Sequence, residues 1–238
     1  MTTPRIHAVL TGDLVQSRRL SAGDLEKVRG ALLAALEQVR GWRRGVVRGK
    51  PEFFRGDAWQ VLLGDAGAAL RVAVFVRAAL RSFGVADTRI AVGLGEVEAV
   101  STRRVSLSTG EAFVLSGHAL DGMTGASRLA IQLPESSGPW ATWMTAVGEL
   151  CDSHVGRWTR RQAEIVSLAV GPDEPLHEQI AARVRPAVSR QAVSKALLGA
   201  GFTALRDAVR AFAETPWEGL LTRSAAEQTK KVASKYAT

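Results

Sequence analysis

The fold is decided by the stretch Glu52-Phe53-Phe54-Arg55-Gly56-Asp57-Ala58-Trp59-Gln60-Val61-Leu62-Leu63. Apolar and aromatic runs flank a short polar turn, and this pattern predicts a β-hairpin with Gly56 and Asp57 in its turn. A second strand-like run, from Arg5 to Leu10, halts at Thr11-Gly12-Asp13. It predicts a buried strand that ends in a polar tip.

Amphipathic helices and further strands surround this hairpin. Ser21 is a suitable N-cap for a helix that ends near Gly41, and residues 68 to 83 predict a second helix that Gly84 stops. The second helix is predicted to be amphipathic. Its apolar face, which should pack on the core, carries Leu70, Val74 and Leu80, and its basic face, which should meet solvent, carries Arg71, Arg77 and Arg81. A strand over 89 to 100, a helix over 110 to 121 and an edge strand over 128 to 133 follow. The order strand, helix, strand, strand, helix, strand predicts a ferredoxin-like unit.

Length and composition indicate an α+β protein of two domains. The 238 residues are 46% hydrophobic and 23% charged, as in an ordinary globular protein. We predict a ferredoxin-like palm domain over 1–135 and a connecting helix or linker over 136–157. An all-α helix-turn-helix domain over 158–221 and a basic tail over 222–238 would complete the chain.

Charge and cysteine content narrow the function classes. A net charge of +8 with a pI near 10.5 favours a polyanionic partner, nucleic acid first. Cys151 is the sole cysteine, which excludes an internal disulfide and a zinc site of several thiolates within one chain. No segment is long and apolar enough for a membrane span or a secretory signal. The sequence therefore predicts a cytoplasmic protein without a membrane partner.

The string Ser189-Arg190-Gln191-Ala192-Val193-Ser194-Lys195-Ala196-Leu197 resembles the recognition helix of many bacterial helix-turn-helix regulators. Ser189 would cap the helix, with Val193 and Leu197 turned inward. The predicted DNA-binding residues are Ser189, Arg190, Gln191, Ser194 and Lys195. Arginine and glutamine suit bidentate contact with guanine and adenine, so double-stranded DNA read by a homodimer is the predicted partner. A module that binds only protein is the alternative.

Two aspartates lie at the ends of predicted strands of the palm: Asp13 at the end of the first strand and Asp57 in the hairpin turn. In a ferredoxin-like sheet the first strand lies beside the hairpin, so Asp13 and Asp57 should converge at one edge. Two carboxylates at such a point repel each other unless a divalent cation lies between them, which predicts a Mg²⁺ site at Asp13 and Asp57. A simple turn-capping role for both aspartates is the alternative.

Several motifs occur in an order that resembles the palm of class III nucleotidyl cyclases and the related GGDEF domains. They are Thr11-Gly12-Asp13, Arg55-Gly56-Asp57-Ala58, the run from Arg89 to Val97, and Gly110-Glu111-Ala112. The strings Gly12 to Arg18 and Gly56 to Gln60 are similar to the SatD family. The resemblance implies a nucleotide site, and the candidate nucleotide-binding residues are Gly12, Lys50, Arg55, Gly56 and His118.

The chain departs from the cyclase pattern where cyclases carry an Asn and an Arg. The corresponding positions here are Val114 and His118, so turnover is in doubt. The leading interpretation is a nucleotide- and magnesium-responsive DNA-binding regulator. The alternative is a nucleotidyltransferase or cyclase-like enzyme that produces a nucleotide signal. A third reading is an interaction protein whose palm is a dimerisation scaffold.

Overall fold

The computed structural model describes residues 5–54, 56–84, 86–101 and 104–222, so the predicted basic tail lies, apart from Thr222, outside the described residues. The strands are β1 (Ile6–Leu14), β2 (Val47–Phe54), β3 (Ala58–Leu63), β4 (Thr88–Glu96) and β5 (Leu129–Gln132). The helices are α1 (Ala22–Trp42), α2 (Ala69–Phe83), α3 (Glu111–Asp121), α4 (Pro139–Gly156), α5 (Arg160–Ala169), α6 (His177–Arg183), α7 (Arg190–Gly199) and α8 (Phe202–Glu214).

The five strands form one sheet in the order β2-β3-β1-β4-β5. The first three pairings are antiparallel, and β5 lies parallel to β4 at the edge. This confirms the predicted α+β fold, the hairpin, the central first strand and the added edge strand. No described helix is long and apolar enough to span a membrane.

Alternation along the strands gives the sheet two different faces. Leu10, Trp59 and Ile90 face α1 and α2 in the main hydrophobic core. Val9 and Leu62 lie on the opposite face, where they pack with Ala112 of α3. Asp13, being an odd number of residues from Leu10, lies on this second face of β1.

Helix α2 is buried on nearly all sides, which the sequence did not predict. Ten of its fifteen residues are buried, so it contacts protein on both its sheet-facing and its outer side. The main core runs without interruption from the sheet through α2 to α5, α7 and α8. The predicted wet face of α2 is therefore wrong, because the C-terminal helices cover it.

The three arginines of that face bind the C-terminal part of the chain. The Nη1 of Arg71 donates to the carbonyl of Val170 at 2.9 Å, and the Nη2 of Arg81 donates to the carbonyl of Trp158 at 2.8 Å. A guanidinium has five donors in a fixed planar arrangement and can satisfy several acceptors at once. These contacts replace hydration at the surface where α5 covers α2.

Arg77 is fully buried between two carboxylates. Its side chain is 0% exposed, and it contacts Asp87 at 2.8 Å and Asp152 at 2.6 Å. Burial acts to raise the pKa of Asp87, but hydrogen bonds from Arg77 and the Thr88 amide outweigh it and hold that pKa below its ordinary value. The ion cluster thereby joins α2, the start of β4 and α4.

Side-chain caps begin two of the C-terminal helices, and the cap at Ser189 is the one predicted above. Thr159 and Gln162 form a capping box at the start of α5, and Ser189 accepts a hydrogen bond from the Ala192 amide at the start of α7. Val193 and Leu197 are buried. The domain boundaries given above stay a prediction.

Replacing Arg77 with methionine should lower the free energy of unfolding by about 3–5 kcal/mol, because Asp152 would keep a largely buried charge without its ion pair and Asp87 would keep only its contact with Arg81. Urea unfolding followed by circular dichroism measures the change. The matched control is Lys27→Met, which removes a solvent-exposed ion pair with Asp24 and should leave stability unchanged. Equal stability of Arg77→Met and the wild type would contradict the role given to the cluster.

The Cys151 thiol should be unreactive in the native protein. It is buried where α4 is docked on the rest of the chain, and burial together with Asp152 raises its pKa to about 11. Thiolate is the reactive form, so Ellman's reagent at pH 8 should label the protein only after urea is added. Rapid labelling without urea would show that α4 leaves its docked position in solution.

Candidate functional site

A polar cleft of about 620 Å³ opens at the end of β1 on the side of the predicted aspartates. The residues that line it are Asp13, Leu14, Val15, Gln16, Ser17, Arg18, Arg19, Asp57, Arg89, Met123, Gly125 and Arg128. Four guanidinium groups face two carboxylates, so the lining carries an excess of two positive charges. Such a lining favours a polyanion.

Asp13 is paired with Arg89 across the two central strands. The register of β1 and β4 places the two residues directly opposite each other. The Nε of Arg89 donates to Oδ1 of Asp13 at 2.8 Å, and its Nη2 donates to Oδ2. This bidentate contact raises the pKa of Arg89. A third donor, Nη1, reaches the Met123 carbonyl at 3.4 Å.

Asp57 reaches the same cleft from the turn between β2 and β3. Gly56 before it has φ +86°, a left-handed conformation that glycine adopts without a steric penalty. The Asp57 carbonyl accepts from the Leu14 amide at 3.2 Å, and its Oδ2 accepts a hydrogen bond from the Ser17 hydroxyl. The fold thus brings together the two carboxylates that the sequence singled out.

The loop after β1 presents unpaired backbone amides. Gln16 is left-handed at φ 57° and is followed by a short right-handed turn over Ser17–Arg19. A left-handed residue next to right-handed ones is the conformation of an anion-binding nest. Among the described residues, none accepts a hydrogen bond from the amides of Gln16, Ser17 or Arg18. These cleft-lining donors are therefore available to an anionic ligand.

Gly12 has a packing role. A Cβ on this residue would lie 2.4 Å from the Arg89 carbonyl and 2.6 Å from the Trp59 ring. Trp59 in turn donates to the Thr88 hydroxyl at 2.9 Å, and that hydroxyl donates to the Asp13 carbonyl at 2.6 Å. Close packing of Trp59 against Gly12 therefore fixes the strand segment that carries Asp13.

The remaining predicted nucleotide-binding residues are not gathered here. Lys50 is exposed on β2 and is not among the residues that line the cleft, and Arg55 lies outside the described residues. His118 lines a separate hollow between α3, β5 and α4. Val114 is 54% exposed on the same helix. Neither of these α3 positions therefore contributes to the described cleft.

Sequence reasoning missed most of the cationic lining. Arg89 follows from the register, because a residue opposite Asp13 on a neighbouring strand must share its face of the sheet. Arg128 precedes β5, whose parallel pairing with β4 brings it to the same end of the sheet. Its position could be found only after the strand order is known.

The carboxylates of Asp13 and Asp57 suit a divalent cation whose remaining ligands are phosphate oxygens of a bound substrate. Within the described residues there is no cluster of three or more His, Cys, Asp or Glu side chains able to hold a metal ion. Mg²⁺, however, is commonly bound by one or two carboxylates together with substrate phosphates. Asp13 and Asp57 satisfy that requirement and do not amount to an all-protein cage.

Comparison with solved structures finds nucleotide cyclases. One is the crystal structure of the guanylyl cyclase Cya2, at 20% identity and a TM-score of 0.37, covering 56% of this chain and 76% of that one. Another is the catalytic core of a rhodopsin-guanylyl cyclase with converted specificity in complex with ATPαS. It is 15% identical with a TM-score of 0.42, covering 63% of this chain and 86% of that one. No protein-family model and no curated protein matches the chain.

The prediction of a DNA-binding regulator is corrected by these findings. Both solved structures named above are cyclases, and neither is a DNA-binding regulator. The C-terminal helices are also packed on α2 in one continuous core and are not a tethered module. Ser189, Arg190, Gln191, Ser194 and Lys195 are exposed as predicted, but Arg190 lies 3.7 Å from the Glu178 carboxylate. Nothing in the matches supports the SatD resemblance.

Replacing Gly12 with alanine should destabilise the protein by about 1–3 kcal/mol, because the added methyl must displace Trp59 or the β4 backbone. Urea unfolding measures the loss. Gly30→Ala is the matched control: Gly30 is exposed within α1 with no atom near its Cβ position, and alanine there should stabilise by about 0.5–1 kcal/mol. If Gly12→Ala and Gly30→Ala changed the free energy of unfolding in the same direction, this account of Gly12 would be contradicted.

Proposed function

We propose that this chain is a cyclase-like nucleotidyltransferase that binds a nucleoside triphosphate with a divalent cation in the cleft at Asp13 and Asp57. The observation that supports the proposal most is the meeting of two carboxylates and four arginines in one cleft. A polyphosphate with a bound metal ion carries negative charge on its phosphate oxygens and positive charge on the metal, so its site needs groups of both signs. The carboxylates suit the cation, and the arginines suit the phosphate oxygens.

The phosphate chain would be held by the loop after β1. The amides of Gln16, Ser17 and Arg18 have no acceptor among the described residues and would serve as donors, and guanidinium groups bind phosphate in a bidentate manner. Arg18 and Arg19 come from the loop after β1, whereas Arg128 comes from the start of β5. Donors from two separate segments orient a triphosphate better than donors from one.

Asp13 and Asp57 would hold Mg²⁺, the cation predicted from the sequence. Bound there, Mg²⁺ would neutralise charge that develops on the phosphoryl oxygens. Two neighbouring residues would hold these carboxylates in place. The Thr88 hydroxyl donates to the Asp13 carbonyl, and the Ser17 hydroxyl donates to the Asp57 carboxylate. Both supports restrict motion of the ligands before any substrate arrives.

The group that stabilises the transferred phosphate would come from the cleft. Cyclases are expected to use an Asn and an Arg on the helix that corresponds to α3, whereas Val114 and His118 lie away from the described cleft. Arg18 and Arg128 are cleft guanidiniums without a carboxylate partner in the described part of the chain. They offer the always-charged donor that the reaction needs. Homodimerisation stays a prediction.

Binding and turnover assays with the four nucleoside triphosphates test this function. Fluorescent triphosphate analogues should bind only with Mg²⁺ or Mn²⁺ present, and pyrophosphate should be released from at least one natural triphosphate. Asp57→Asn and Asp13→Asn should each weaken metal-dependent binding about tenfold or more, because a charged cation ligand is lost.

Asp207→Asn is the control, since it neutralises an exposed aspartate on α8 that is not part of the cleft lining. It should bind as the wild type does. Absence of metal-dependent binding for all four triphosphates would overturn the proposed function.

A further inference from the structure

The two carboxylates of the cleft are not equally available. Both oxygens of Asp13 accept hydrogen bonds from Arg89, whereas Asp57 accepts one from the neutral Ser17 hydroxyl. In the described part of the chain, Oδ1 of Asp57 has no hydrogen-bond partner. A cation that approaches Asp13 must therefore compete with the bound Arg89 guanidinium, whereas Oδ1 of Asp57 is accessible to it.

We propose that Arg89 is a positioning residue that withholds Asp13 from the cation until a polyphosphate chain draws the guanidinium away. This inference rests on the proposed function and specifies how the same site is loaded. Metal and polyphosphate then bind as a cooperative pair. The metal alone finds one open carboxylate, and two are open once phosphate has bound.

The exchange is favourable because polyphosphate competes for the same donors. Arginine's planar fork matches a phosphate as well as a carboxylate, and a triphosphate carries more negative charge than one aspartate. Arg89 is about one-third exposed and lines the cleft, so a ligand can reach it. The Met123 carbonyl is its other acceptor, at 3.4 Å, which is a weak contact.

Release of Arg89 changes the electrostatics of the sheet edge. The Asp13 carboxylate has then lost its paired guanidinium. Asp13 lies beside the turn that carries Asp57, because it is paired in register with Ala58, the residue after Asp57. Two neighbouring carboxylates that are not paired with guanidinium groups attract a divalent cation more strongly than one does. Linkage requires the reverse effect as well, so the metal must raise the affinity for polyphosphate by the same factor.

Equilibrium dialysis of Mn²⁺ against the full chain tests the inference without any turnover. Free Mn²⁺ and its complex with inorganic tripolyphosphate both cross the membrane, so excess Mn²⁺ on the protein side reports bound metal. We expect the wild type to bind Mn²⁺ at least about tenfold more tightly with tripolyphosphate present than without it. Arg89→Gln should bind Mn²⁺ alone about tenfold more tightly than the wild type does.

Arg128→Gln is the matched control because it removes the same charge from the same cleft. The Arg128 guanidinium donates only to the carbonyls of Gly125 and Ser127 among the described residues and does not contact Asp13. If loss of positive charge were sufficient, both variants would gain affinity for Mn²⁺ alone. The positioning role requires that Arg89→Gln gain clearly more than Arg128→Gln.

The outcomes separate this inference from the function on which it rests. Wild type that binds Mn²⁺ equally well with and without tripolyphosphate overturns the role of Arg89 and leaves a metal site in place. Equal gains in the two arginine variants also overturn it. No Mn²⁺ binding under either condition overturns the proposed function itself. Should Arg89→Gln fail to fold, Arg89→Lys replaces it: an ammonium group cannot bind both Asp13 oxygens in the bidentate manner of Arg89, so this variant should also bind Mn²⁺ alone more tightly than the wild type does.

Discussion

The buried Arg77 guanidinium joins α2, the start of β4 and α4 through its ion pairs with Asp87 and Asp152. A fully buried charge is tolerated only when it is paired, so Asp87 and Asp152 must stay beside it. The same two residues also bind the backbone amides of two residues that line the cleft. The Asp87 carbonyl accepts from the Val15 amide at 2.9 Å, and the Asp152 carboxylate accepts from the Arg128 amide at 2.7 Å. The core ion cluster therefore links the loop after β1 with the start of β5, and both segments line the cleft.

The C-terminal helices gain a structural role from this arrangement. They cover α2 and supply carbonyl acceptors for its arginines, which leaves α2 buried between the sheet and the outer helices. Asp87 joins the start of β4 to this buried helix through its ion pairs with Arg77 and Arg81. Support of that kind would suit the metal-nucleotide site proposed above, since small displacements of ligands reduce catalysis strongly.

The cleft has the sheet expected from the cyclase resemblance but a different set of charged residues. The sheet and the paired aspartates follow the pattern that the cyclase resemblance implies, but α3 carries Val114 and His118 where a charge-stabilising pair would be expected. Cationic groups instead surround the aspartates from the β1 loop, from β4 and from the start of β5. Function resides in such local constellations, so the arginine-rich cleft defines the proposed activity and α3 does not.

The order of strands and helices as far as β5, the caps at Ser21 and Ser189, and the placement of Asp13 and Asp57 in one cleft all follow from the amino-acid sequence. Local periodicity and capping chemistry fix the elements and their ends, and the pairing rules of a ferredoxin-like sheet bring the two aspartates to one edge. What covers α2, which residue pairs with Asp13 and how the C-terminal helices pack became known from the three-dimensional structure. Periodicity assigns Arg77 to a polar face, but it cannot say whether water or another helix meets that face. That outcome depends on contacts such as Arg77 with Asp152, 75 positions apart, whose energies arise only when distant segments are packed together.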